Sequence, residues 1–585
     1  MESLHDTEKG RSNSPTPLDA HIHGVNVAAY AHLDAEKVLS KLGKYGTYQM
    51  LIYAMTNFAF FLYAGETMVM SLIAVDPSFE CLVDYPSDNS SIAYEVDEKC
   101  YFHEIVSNSS LKCGDAPNTY FKINGSKYAS LASEFNLVCD QEYLSQLGMS
   151  LFMLGNMLAT PIVSQASDSF GRRLTFLIPL WLSVFANIGC SLAPYYSMFL
   201  FFRFLAGMGT AGLGTIGFVI MIENVAPAFR SLTPIVLNLV WVAGYMTVGV
   251  VHIVFKENWR YLYFALSVPG LLSLGFYWLM PESLPWMITH KKTVEISKYI
   301  EKSTKLNDVD FELHECRASI SEIYADELKK KASKRTFLDI FKSRPFMFHL
   351  FLQCYIMIVM NFTYWALSLF SVDLHENEMV GYFLSGLVEL PALVGIIFLH
   401  YFGRRTVTFV ALFAQGVSMI GAVIFPGKTT MSMSMSLLCK VFNNIAWMSA
   451  PLLQGEMAPT SMRNIFYGVI GFVGEIGSIS APYFDFLKKI HESAPFIVIA
   501  GMSFLAAFAS LCSPETKGKP MPEDLDQINP GFVYNYLFGG KSKSKEHSLP
   551  TSSVECMPLE IQQTEKLLKE DNLPDLIKSS KTNPS

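Results

Sequence analysis

Charged residues are scarce in this chain of 585 residues. Asp, Glu, Lys and Arg make up 16% of the sequence, whereas an ordinary soluble domain carries roughly 25%. Hydrophobic residues make up 51%. This balance excludes an ordinary soluble protein and indicates a chain that is surrounded by a lipid bilayer. We predict no nucleic-acid partner.

The sequence also lacks the motifs of several other protein classes. It contains no Walker phosphate-binding loop, which argues against an ATP-driven pump. It shows no ring of pore-lining residues in one chain, which argues against a channel. We predict neither enzyme activity nor a metal or cofactor. Residues 1–45 contain no apolar run, so no cleaved signal peptide is expected and the first span is expected to act as the targeting signal.

Long apolar runs are abundant instead. A helix needs about 20 apolar residues to cross a hydrocarbon core of about 30 Å. Twelve windows of this kind occur in series: 48–73, 145–163, 174–193, 196–221, 233–255, 261–280, 346–371, 379–401, 406–425, 431–453, 465–484 and 495–513. The series predicts an all-α membrane protein with twelve transmembrane helices.

The loops between the spans differ in charge. Residues 76–142 carry twelve acids, four lysines and no arginine, whereas residues 288–345 carry thirteen Lys and Arg. Because positive residues are retained on the cytoplasmic side, the basic loop and both termini are predicted to be cytoplasmic. The acidic loop between spans one and two is then a large extracellular loop.

Two further features of the acidic loop agree with an extracellular position. It contains three sequons for N-glycosylation, at Asn89, Asn108 and Asn124. It also contains four cysteines, an even number in an oxidising compartment, which can pair in three ways: Cys81, Cys100, Cys113 and Cys139.

The spans form two related halves. The segment DSFGRR follows span two and HYFGRR follows span eight, with glycines 403 − 171 = 232 residues apart. The segment ENVAPAFR follows span four and EMAPTSMR follows span ten, with an offset of 456 − 223 = 233. Two motifs with nearly one offset indicate two parallel six-helix halves, as in major facilitator transporters. The predicted regions are a cytoplasmic tail (1–45), a first half (46–287, with the loop 76–142), a cytoplasmic loop (288–345), a second half (346–515) and a largely disordered cytoplasmic tail (516–585).

Several motifs resemble one family in particular. They are SEFNLVCD at the end of the acidic loop, DSFGRR, PESLPWMI, VELPA, EMAPTSMRN and SPETKGKPMPE. Over residues 40–530 the chain resembles the organic-ion transporters of the major facilitator superfamily, which include organic cation, anion and carnitine carriers. The resemblance implies a major facilitator fold with the solute site near the membrane midplane, between the halves. Ser164 stands where the family usually has the glycine that opens the first gate motif, and PESLPW lacks the usual arginine of PESPRW.

The paired motifs are the predicted gate. Gly171 permits a tight turn at the membrane face, and carboxylates accompany arginines at matched positions in both halves. Ion pairs that form in one state and break in another give the bistable latch that alternating access requires. The alternative is a positive-inside anchor alone. The gate residues are Asp168, Gly171, Arg172, Arg173, Glu223 and Arg230 in the first half, and Arg404, Arg405, Glu456 and Arg463 in the second.

One carboxylate, Glu475, lies inside the apolar window 465–484. An ionised carboxylate at the centre of a span costs at least ~2.5 kcal/mol, so such groups face a partner or a cavity. Lys440 in span ten, which roughly matches Arg203 in span four, is the predicted partner. The other interpretation is a counter-charge for a cationic solute. In the resembling family this position is commonly acidic in cation carriers and arginine in anion and carnitine carriers, so its sign favours cations.

Aromatic side chains complete the predicted cation site. Ring faces attract weakly hydrated cations with ~0.5 to 2 kcal/mol each. The NFTYWAL segment resembles the span-seven tyrosine motif of the family and makes Tyr364 the strongest of these candidates; helix packing is the alternative for each ring. The remaining aromatic candidates are Trp241, Tyr245, Trp365, Phe218 and Phe472. The glycine-rich run GMGTAGLG in span four is expected either to widen the pocket or to let helices pack closely.

Two other acids lie within the spans. Glu389 precedes Pro391, which can bend the helix, and a role in coupling the halves is as well supported as solute contact. Glu66 is expected near the outer end of span one, where water reaches it, and is assigned no role.

Together these features predict a polyspecific secondary transporter of small organic cations in the plasma membrane, driven by the membrane potential through alternating access. Proton exchange remains an alternative for the coupling. An anion or carnitine-like zwitterion carrier of the same family, or a membrane scaffold without transport, are the alternatives for the function. A homo-oligomer through the extracellular loop is a further expectation.

Overall fold

The fold is known from a computed structural model of the chain. The structure describes residues 21–22, 25–26, 33–75, 79–83, 94–98, 100–104, 109–112, 119–123, 130–230, 232–255, 258–309, 316, 343–375, 377–425, 430–459, 462–519, 521–522, 525 and 528–538. The chain divides into a large unit, Met1–Tyr534, and a small unit, Asn535–Ser585. Of the small unit, residues 535–538 are described, and they are helical.

Long helices dominate the first half. Lipid supplies no hydrogen bonds to the backbone, so each apolar run satisfies its own N–H and C=O groups as a helix. The helices are α1 (Ala35–Lys41), α2 (Thr47–Met68), α3 (Met70–Ile73), α4 (Leu131–Phe135), α5 (Glu142–Phe170), α6 (Arg172–Leu192), α7 (Tyr196–Glu223), α8 (Pro227–Arg230), α9 (Thr233–Phe255), α10 (Trp259–Ser267), a 3₁₀ turn (Val268–Gly275) and α11 (Phe276–Leu279).

The second half repeats this pattern after two helices of the basic loop. Those two are α12 (Leu284–Thr289) and α13 (Thr293–Asn307). The helices that follow are α14 (Arg344–Leu369), α15 (Glu378–Leu387), α16 (Gly395–Tyr401), α17 (Arg404–Ile424), α18 (Thr430–Met457), α19 (Arg463–Ser480), α20 (Ala494–Leu511) and α21 (Gly531–Phe538). Three 3₁₀ segments lie between them: Phe370–Leu374, Pro391–Val394 and Ala481–Lys489.

Each of the twelve predicted windows overlaps one or more of these helices. Among the described residues, nine helical segments are long and apolar enough to cross a membrane. The windows 48–73, 379–401 and 431–453 fall outside that set. The first and third carry polar side chains such as Asn57 and Lys440, and the second is broken near Pro391 into two short helices. The all-α class of the membrane part is confirmed, and the count of twelve spans stays a prediction.

The acidic loop contains short strands. Strand β3 (Phe79–Val83) pairs antiparallel with β7 (Thr119–Ile123), and β4 (Tyr94–Glu98), β5 (Tyr101–Glu104) and β6 (Ser109–Lys112) form a second antiparallel sheet. Two shorter strands, β1 (His21–Ile22) and β2 (Val25–Asn26), pair in the N-terminal tail. The predicted membrane spans contain none of these strands.

A disulfide joins Cys100 to Cys139. It selects one of the three predicted pairings and leaves Cys81 and Cys113 for each other, which stays a prediction. Cys113 and the side chain of Cys81 lie outside the described residues, as do the three sequon asparagines Asn89, Asn108 and Asn124.

The expected helices of the basic loop are present where the structure describes it. Helix α13 buries Tyr299 and Ile300 in the same apolar cluster as residues of α1 and α2. Asn307 at its end accepts a hydrogen bond from the Tyr48 backbone N–H over 2.9 Å and donates one to the Gln49 side chain over 2.8 Å. Residues 310–315 and 317–342 lie outside the described part.

The glycine-rich run of α7 lets helices cross closely. A Cβ on Gly207 would lie 2.0 Å from the carbonyl oxygen of Phe152 in α5, and one on Gly209 would lie 2.6 Å from the Ser183 nitrogen in α6. No real Cβ approaches backbone atoms so closely, so a larger residue forces the helices apart. Of the two expectations for this run, close packing is the one that these contacts support.

The two halves meet near the end that carries the acidic loop and near the middle of the helices. The Ser150 hydroxyl of α5 donates to the Ile479 carbonyl of α19 over 2.8 Å, and Lys489 pairs with Glu142 at 2.9 Å. At the opposite end, the ion pairs of Arg172 with Glu223 and of Arg404 with Glu456 each form within one half. The halves are therefore closed together at the loop end.

Candidate functional site

Glu389 is buried at the break in the second half. Helix α15 ends at Leu387, and the Glu389 N–H bonds to the Gly386 carbonyl over 3.2 Å rather than to the Ser385 carbonyl of a continuous helix. The Ser385 carbonyl is thereby left for another donor. Lys440 of α18 is this donor. Its ammonium donates to the Ser385 carbonyl oxygen over 3.0 Å and to the Ser385 hydroxyl over 2.9 Å.

The same ammonium forms an ion pair with Glu389 at 3.0 Å. The Tyr364 hydroxyl donates to the same carboxylate oxygen, also over 3.0 Å. Both charged side chains are almost completely buried, at 1% exposure for Lys440 and 3% for Glu389. The prediction that Lys440 pairs with Glu475 was therefore wrong. The helix break places the Glu389 carboxylate and the Ser385 carbonyl within reach of Lys440. The spacing of these residues in the sequence did not indicate this arrangement.

Glu475 lies on α19 and is partly buried. Its Oε2 atom is buried and has no hydrogen-bond partner among the described residues. The neighbouring residue, Gly474, packs closely against Met357 and Asn361 of α14. A Cβ on Gly474 would lie only 2.5 Å from Met357. Tyr63 of α2, in the other half, is close enough to interact electrostatically with Glu475. Among the described residues, the acid therefore lies beside both halves without a counter-ion.

Glu66 is also buried, at 9% exposure, so the expectation that water reaches it was wrong. The Ser183 hydroxyl of α6 donates to its carboxylate. Its backbone carbonyl accepts a hydrogen bond of 3.0 Å from Arg203 of α7. Arg203 is fully buried, donates to the Tyr263 hydroxyl over 2.7 Å and lies 4.1 Å from the centre of the Phe152 ring. Glu66 thus belongs to a polar cluster inside the first half.

The predicted aromatic residues separate into two groups. Trp241 donates to the Tyr364 hydroxyl over 2.8 Å and links the halves. Tyr245 is buried and donates to the Ser385 hydroxyl over 3.2 Å, and Trp365 packs edge-on against Tyr364 at 5.2 Å. Phe218 and Phe472 are exposed, at 41% and 42%, and neither joins an aromatic pair in the described residues.

Sequence reasoning missed two aromatic residues of α2. The rings of Phe60, Tyr63 and Trp241 form a mutual cluster, with centroids 5.5 to 5.8 Å apart. Since Trp241 in turn contacts Tyr364, this cluster continues into the second half. The signal was present as aromatic residues on span one, but nothing in the sequence indicated which face of α2 meets α9.

The residues of the predicted first-half gate form an ion cluster. Arg172 pairs with Asp168 at 3.0 Å and with Glu223 at 3.3 Å. The backbone N–H groups of Arg172 and Arg173 donate to Glu282 over 2.7 and 3.1 Å. The Ser283 hydroxyl donates to Glu223, and the side chain of Arg173 donates to the Tyr277 carbonyl. Gly171 has a φ of +101°, which only glycine adopts readily, and a Cβ there would lie 2.3 Å from Glu282.

The second-half gate has the same design. Arg404 pairs with Glu456 at 3.0 Å, and the Thr516 hydroxyl donates to Glu456 over 2.6 Å. Glu515 accepts the backbone N–H of Arg405 over 3.5 Å. Glu515 and Thr516 follow Glu282 and Ser283 by 515 − 282 = 233 residues, the offset of the other motifs. That offset was the signal that could have added these four residues to the gate.

Two predicted gate arginines have other partners. Arg230 pairs with Glu36 of α1 at 2.6 Å and donates to the Ile222 carbonyl over 3.2 Å. Arg463 donates to the Met521 sulfur over 3.1 Å. Neither arginine forms an ion pair with Glu223 or Glu456 in the described residues, and their part in the gate stays a prediction.

The environment of Glu515 keeps its carboxylate ionised. Burial acts to raise its pKa, but backbone N–H groups of Lys517, Thr516, Arg405 and Thr406 donate to it and lower the pKa below the ordinary value of 4.5. A depressed folded-state pKa contributes stability above the unfolded pKa, and this stability is lost as the pH falls through the folded value. The second-half gate is therefore expected to keep this charge at neutral pH.

Residues 88–527 match the family described as "Sugar (and other) transporter". The chain belongs to this family of the major facilitator superfamily. It is a multi-pass membrane transporter of a small-molecule substrate rather than an enzyme.

Three curated relatives illustrate the similarity of the transporter to other members. The chain is 28% identical to the organic cation transporter protein of Drosophila melanogaster over 517 residues, which covers 84% of this chain and 94% of the relative. It is 26% identical to mouse solute carrier family 22 member 4, with coverage of 87% and 97%. It is 28% identical to human organic cation/carnitine transporter 2, with coverage of 68% and 72%.

Solved structures show the fold of the transporter independently. The inward open conformation of the xylose transporter XylE from E. coli matches with a TM-score of 0.57 at 15% identity, covering 82% of this chain and 99% of the other. A partially occluded inward open conformation of the same protein matches with a TM-score of 0.54 at 16% identity, covering 81% and 100%. The predicted major facilitator fold is therefore confirmed.

Proposed function

We propose that the transporter carries small organic cations and that Glu475 is the counter-charge for the bound cation. The observation that supports this proposal is the state of the three acids within the predicted spans. Glu389 has an ion-pair partner, Lys440, and Glu66 has a hydroxyl donor. Glu475 has the Ser478 hydroxyl beside its carboxylate, but its Oε2 atom is buried and has no partner in the described part of the chain.

The energetic cost of such an oxygen favours a transient partner. A buried acceptor left unsatisfied costs about 1 to 3 kcal/mol, and more when the group is charged. A bound cation removes this cost, and the cost returns when the cation leaves. Because Lys440 is neutralised by Glu389, Glu475 is the one Asp, Glu, Lys or Arg without an ion-pair partner among the described residues of the second-half spans.

Aromatic rings near the acid suit the apolar body of an organic cation. Tyr63 lies within electrostatic reach of Glu475 and packs on Trp241 with ring centres 5.5 Å apart. Trp241 bonds to Tyr364 across the halves. A desolvated cation gains ~0.5 to 2 kcal/mol from each ring face that it contacts. We assign Tyr63, Trp241 and Tyr364 to the substrate site, with Trp365, Tyr245, Phe472 and Phe218 as further candidates from the sequence.

Alternating access is proposed to act through the two gates. In the predicted orientation the acidic loop is extracellular, so halves that are closed at the loop end correspond to an inward-facing state. The gate clusters around Arg172 and Arg404 then lie at the cytoplasmic side, and each is held within its own half. Their ion pairs would be rearranged when the halves close at that side.

The membrane potential suffices as the driving force. A singly charged cation that crosses the membrane gains ~2.3 kcal/mol per 100 mV, enough for about fifty-fold accumulation. We therefore propose uniport at the plasma membrane with both termini cytoplasmic, which this driving force and the charge of the loops support. Association through the extracellular loop is proposed as the route to a homo-oligomer.

Uptake at clamped voltage tests the proposal. Glu475→Gln keeps the size of the side chain and removes its charge, so uptake of labelled tetraethylammonium should fall at least ~10-fold at equal surface expression. Glu492→Gln makes the same change at an exposed acid and should leave uptake unaltered. Undiminished uptake by Glu475→Gln would contradict the assignment.

Charge reversal distinguishes the carrier classes. Glu475→Arg should abolish cation uptake in a cation carrier. If this variant instead transports labelled anions or carnitine as well as the native protein does, the zwitterion or anion alternative is correct. The human relative named organic cation/carnitine transporter 2 makes carnitine a suitable member of the panel.

A further inference from the structure

The ammonium of Lys440 lies in an unusual environment for a lysine. Each of its contacts is of the kind that binds a free alkylammonium. It forms an ion pair of 3.0 Å with Glu389 and donates to the Ser385 carbonyl and hydroxyl over 3.0 and 2.9 Å. It lies 4.9 Å from the centre of the Tyr245 ring and 5.3 Å from that of Tyr364. We call these four residues, Glu389, Ser385, Tyr245 and Tyr364, the ammonium cage.

The cage satisfies a primary ammonium fully. An ammonium has three N–H donors, and the three acceptors here are a carboxylate oxygen, a carbonyl oxygen and a hydroxyl oxygen. Two aromatic faces add cation–π attraction. Lys440 is 1% exposed, so water does not compete for these contacts. A simple structural ion pair would need the carboxylate alone.

Both halves build the cage. Glu389, Ser385 and Tyr364 belong to the second half, whereas Tyr245 belongs to α9 of the first. Tyr245 is held against the second half by its bond to Ser385, and the Tyr382 hydroxyl donates to its carbonyl over 3.0 Å. The cage is therefore located at the interface that moves during transport.

We propose that the ammonium cage is an organic-ammonium binding site that Lys440 fills from within the chain. It takes primary alkylammonium ions when the lysine is absent. A second consequence rests on the proposed function: by occupying this site, Lys440 neutralises Glu389, so that Glu475 alone holds the substrate and the transporter is restricted to singly charged cations. Lys440 is thus a specificity-determining residue.

Chemical complementation tests the cage itself. Lys440→Ala deletes the three methylenes and the ammonium that together equal n-propylammonium. The melting temperature of the purified full-length variant should lie below that of the native protein, and millimolar n-propylammonium should recover most of the loss. Neutral n-propanol should recover none of it. The amine should not change the melting temperature of the native protein, whose cage is occupied by Lys440. It should also not change that of the double variant Lys440→Ala/Glu389→Gln, whose cage lacks the carboxylate charge.

Two results would overturn the cage. One is that n-propylammonium does not raise the melting temperature of Lys440→Ala. The other is that it raises the melting temperature of all three proteins equally. If Lys440→Ala does not reach the membrane, n-propylammonium added to the cells during expression should raise its surface level, and no rise over n-propanol would count equally against the cage. These measurements do not depend on which solute the transporter carries.

Competition in uptake tests the second consequence. 1,6-Diaminohexane, a dication with two primary ammonium groups, should inhibit tetraethylammonium uptake at least ~10-fold more strongly in Lys440→Ala than in the native protein, whereas tetramethylammonium should inhibit both similarly. Equal inhibition of the two proteins by 1,6-diaminohexane would refute the restriction to single charges while leaving the cage intact. If the native protein takes up no cation at all, the proposed function is refuted instead.

Discussion

Breaking the buried pair of Lys440 and Glu389 should destabilise the transporter more than removing the pair altogether. The two side chains are 1% and 3% exposed and their charged atoms lie 3.0 Å apart. Removing one partner of such a pair leaves an uncompensated buried charge, at a cost of about 3 to 5 kcal/mol. Glu389→Gln retains an acceptor, and Ser385 still accepts two hydrogen bonds, so we expect about 3 kcal/mol for this variant.

This value can be converted into a melting temperature. An unfolding entropy of about 2.1 cal/mol/K per residue gives roughly 1 kcal/mol/K for residues 46–515 unfolding together, so 3 kcal/mol corresponds to about 3 °C. Thermal unfolding of purified Glu389→Gln, Lys440→Met and the double variant forms a double-mutant cycle. The double variant should melt above both single variants. Strictly additive losses would show that the two charges do not interact and would refute the ion pair.

Two further predictions concern packing and closure. Gly207→Ala places a Cβ 2.0 Å from the Phe152 carbonyl and should abolish surface expression. Gly501→Ala, whose new Cβ would have no neighbour within 4 Å, should leave surface expression unchanged. Equal surface expression of the two variants would contradict the close crossing of α5 and α7. Lys489→Ala removes the partly exposed ion pair with Glu142, worth at most about 1 kcal/mol, and should shift the halves up to about five-fold toward opening at the loop end. Labelling of an introduced cysteine near that end measures the shift, and a decrease in labelling would contradict the assignment.

The sequence predicts the helices and the ion pairs of the repeated motifs well, because both rest on local patterns. An apolar run of about 20 residues has few alternatives to a helix in lipid. The repeated motifs around Arg172 and Arg404 have one offset, and the structure places each arginine beside the predicted carboxylate, Glu223 or Glu456. A duplicated sequence repeats its contacts as well as its helices.

Partners between distant helices were harder to predict. Lys440 pairs with Glu389 where α15 ends and its Ser385 carbonyl is free to accept the same ammonium. The proline after Glu389 indicated a bend but not which side chains it brings together. Glu66 was expected in water, yet Ser183 of a neighbouring helix covers it. Such outcomes depend on how helices pack, which a pattern along one span does not specify.

The most direct measurement of the central claim is a structure of the full chain with bound tetraethylammonium. The cation is predicted to lie against the Glu475 carboxylate, with aromatic contact from the cluster that contains Tyr63 and Trp241. Density for the cation elsewhere in the path, with Glu475 paired to a protein cation in both inward-facing and outward-facing states, would contradict the claim and leave only the major facilitator architecture.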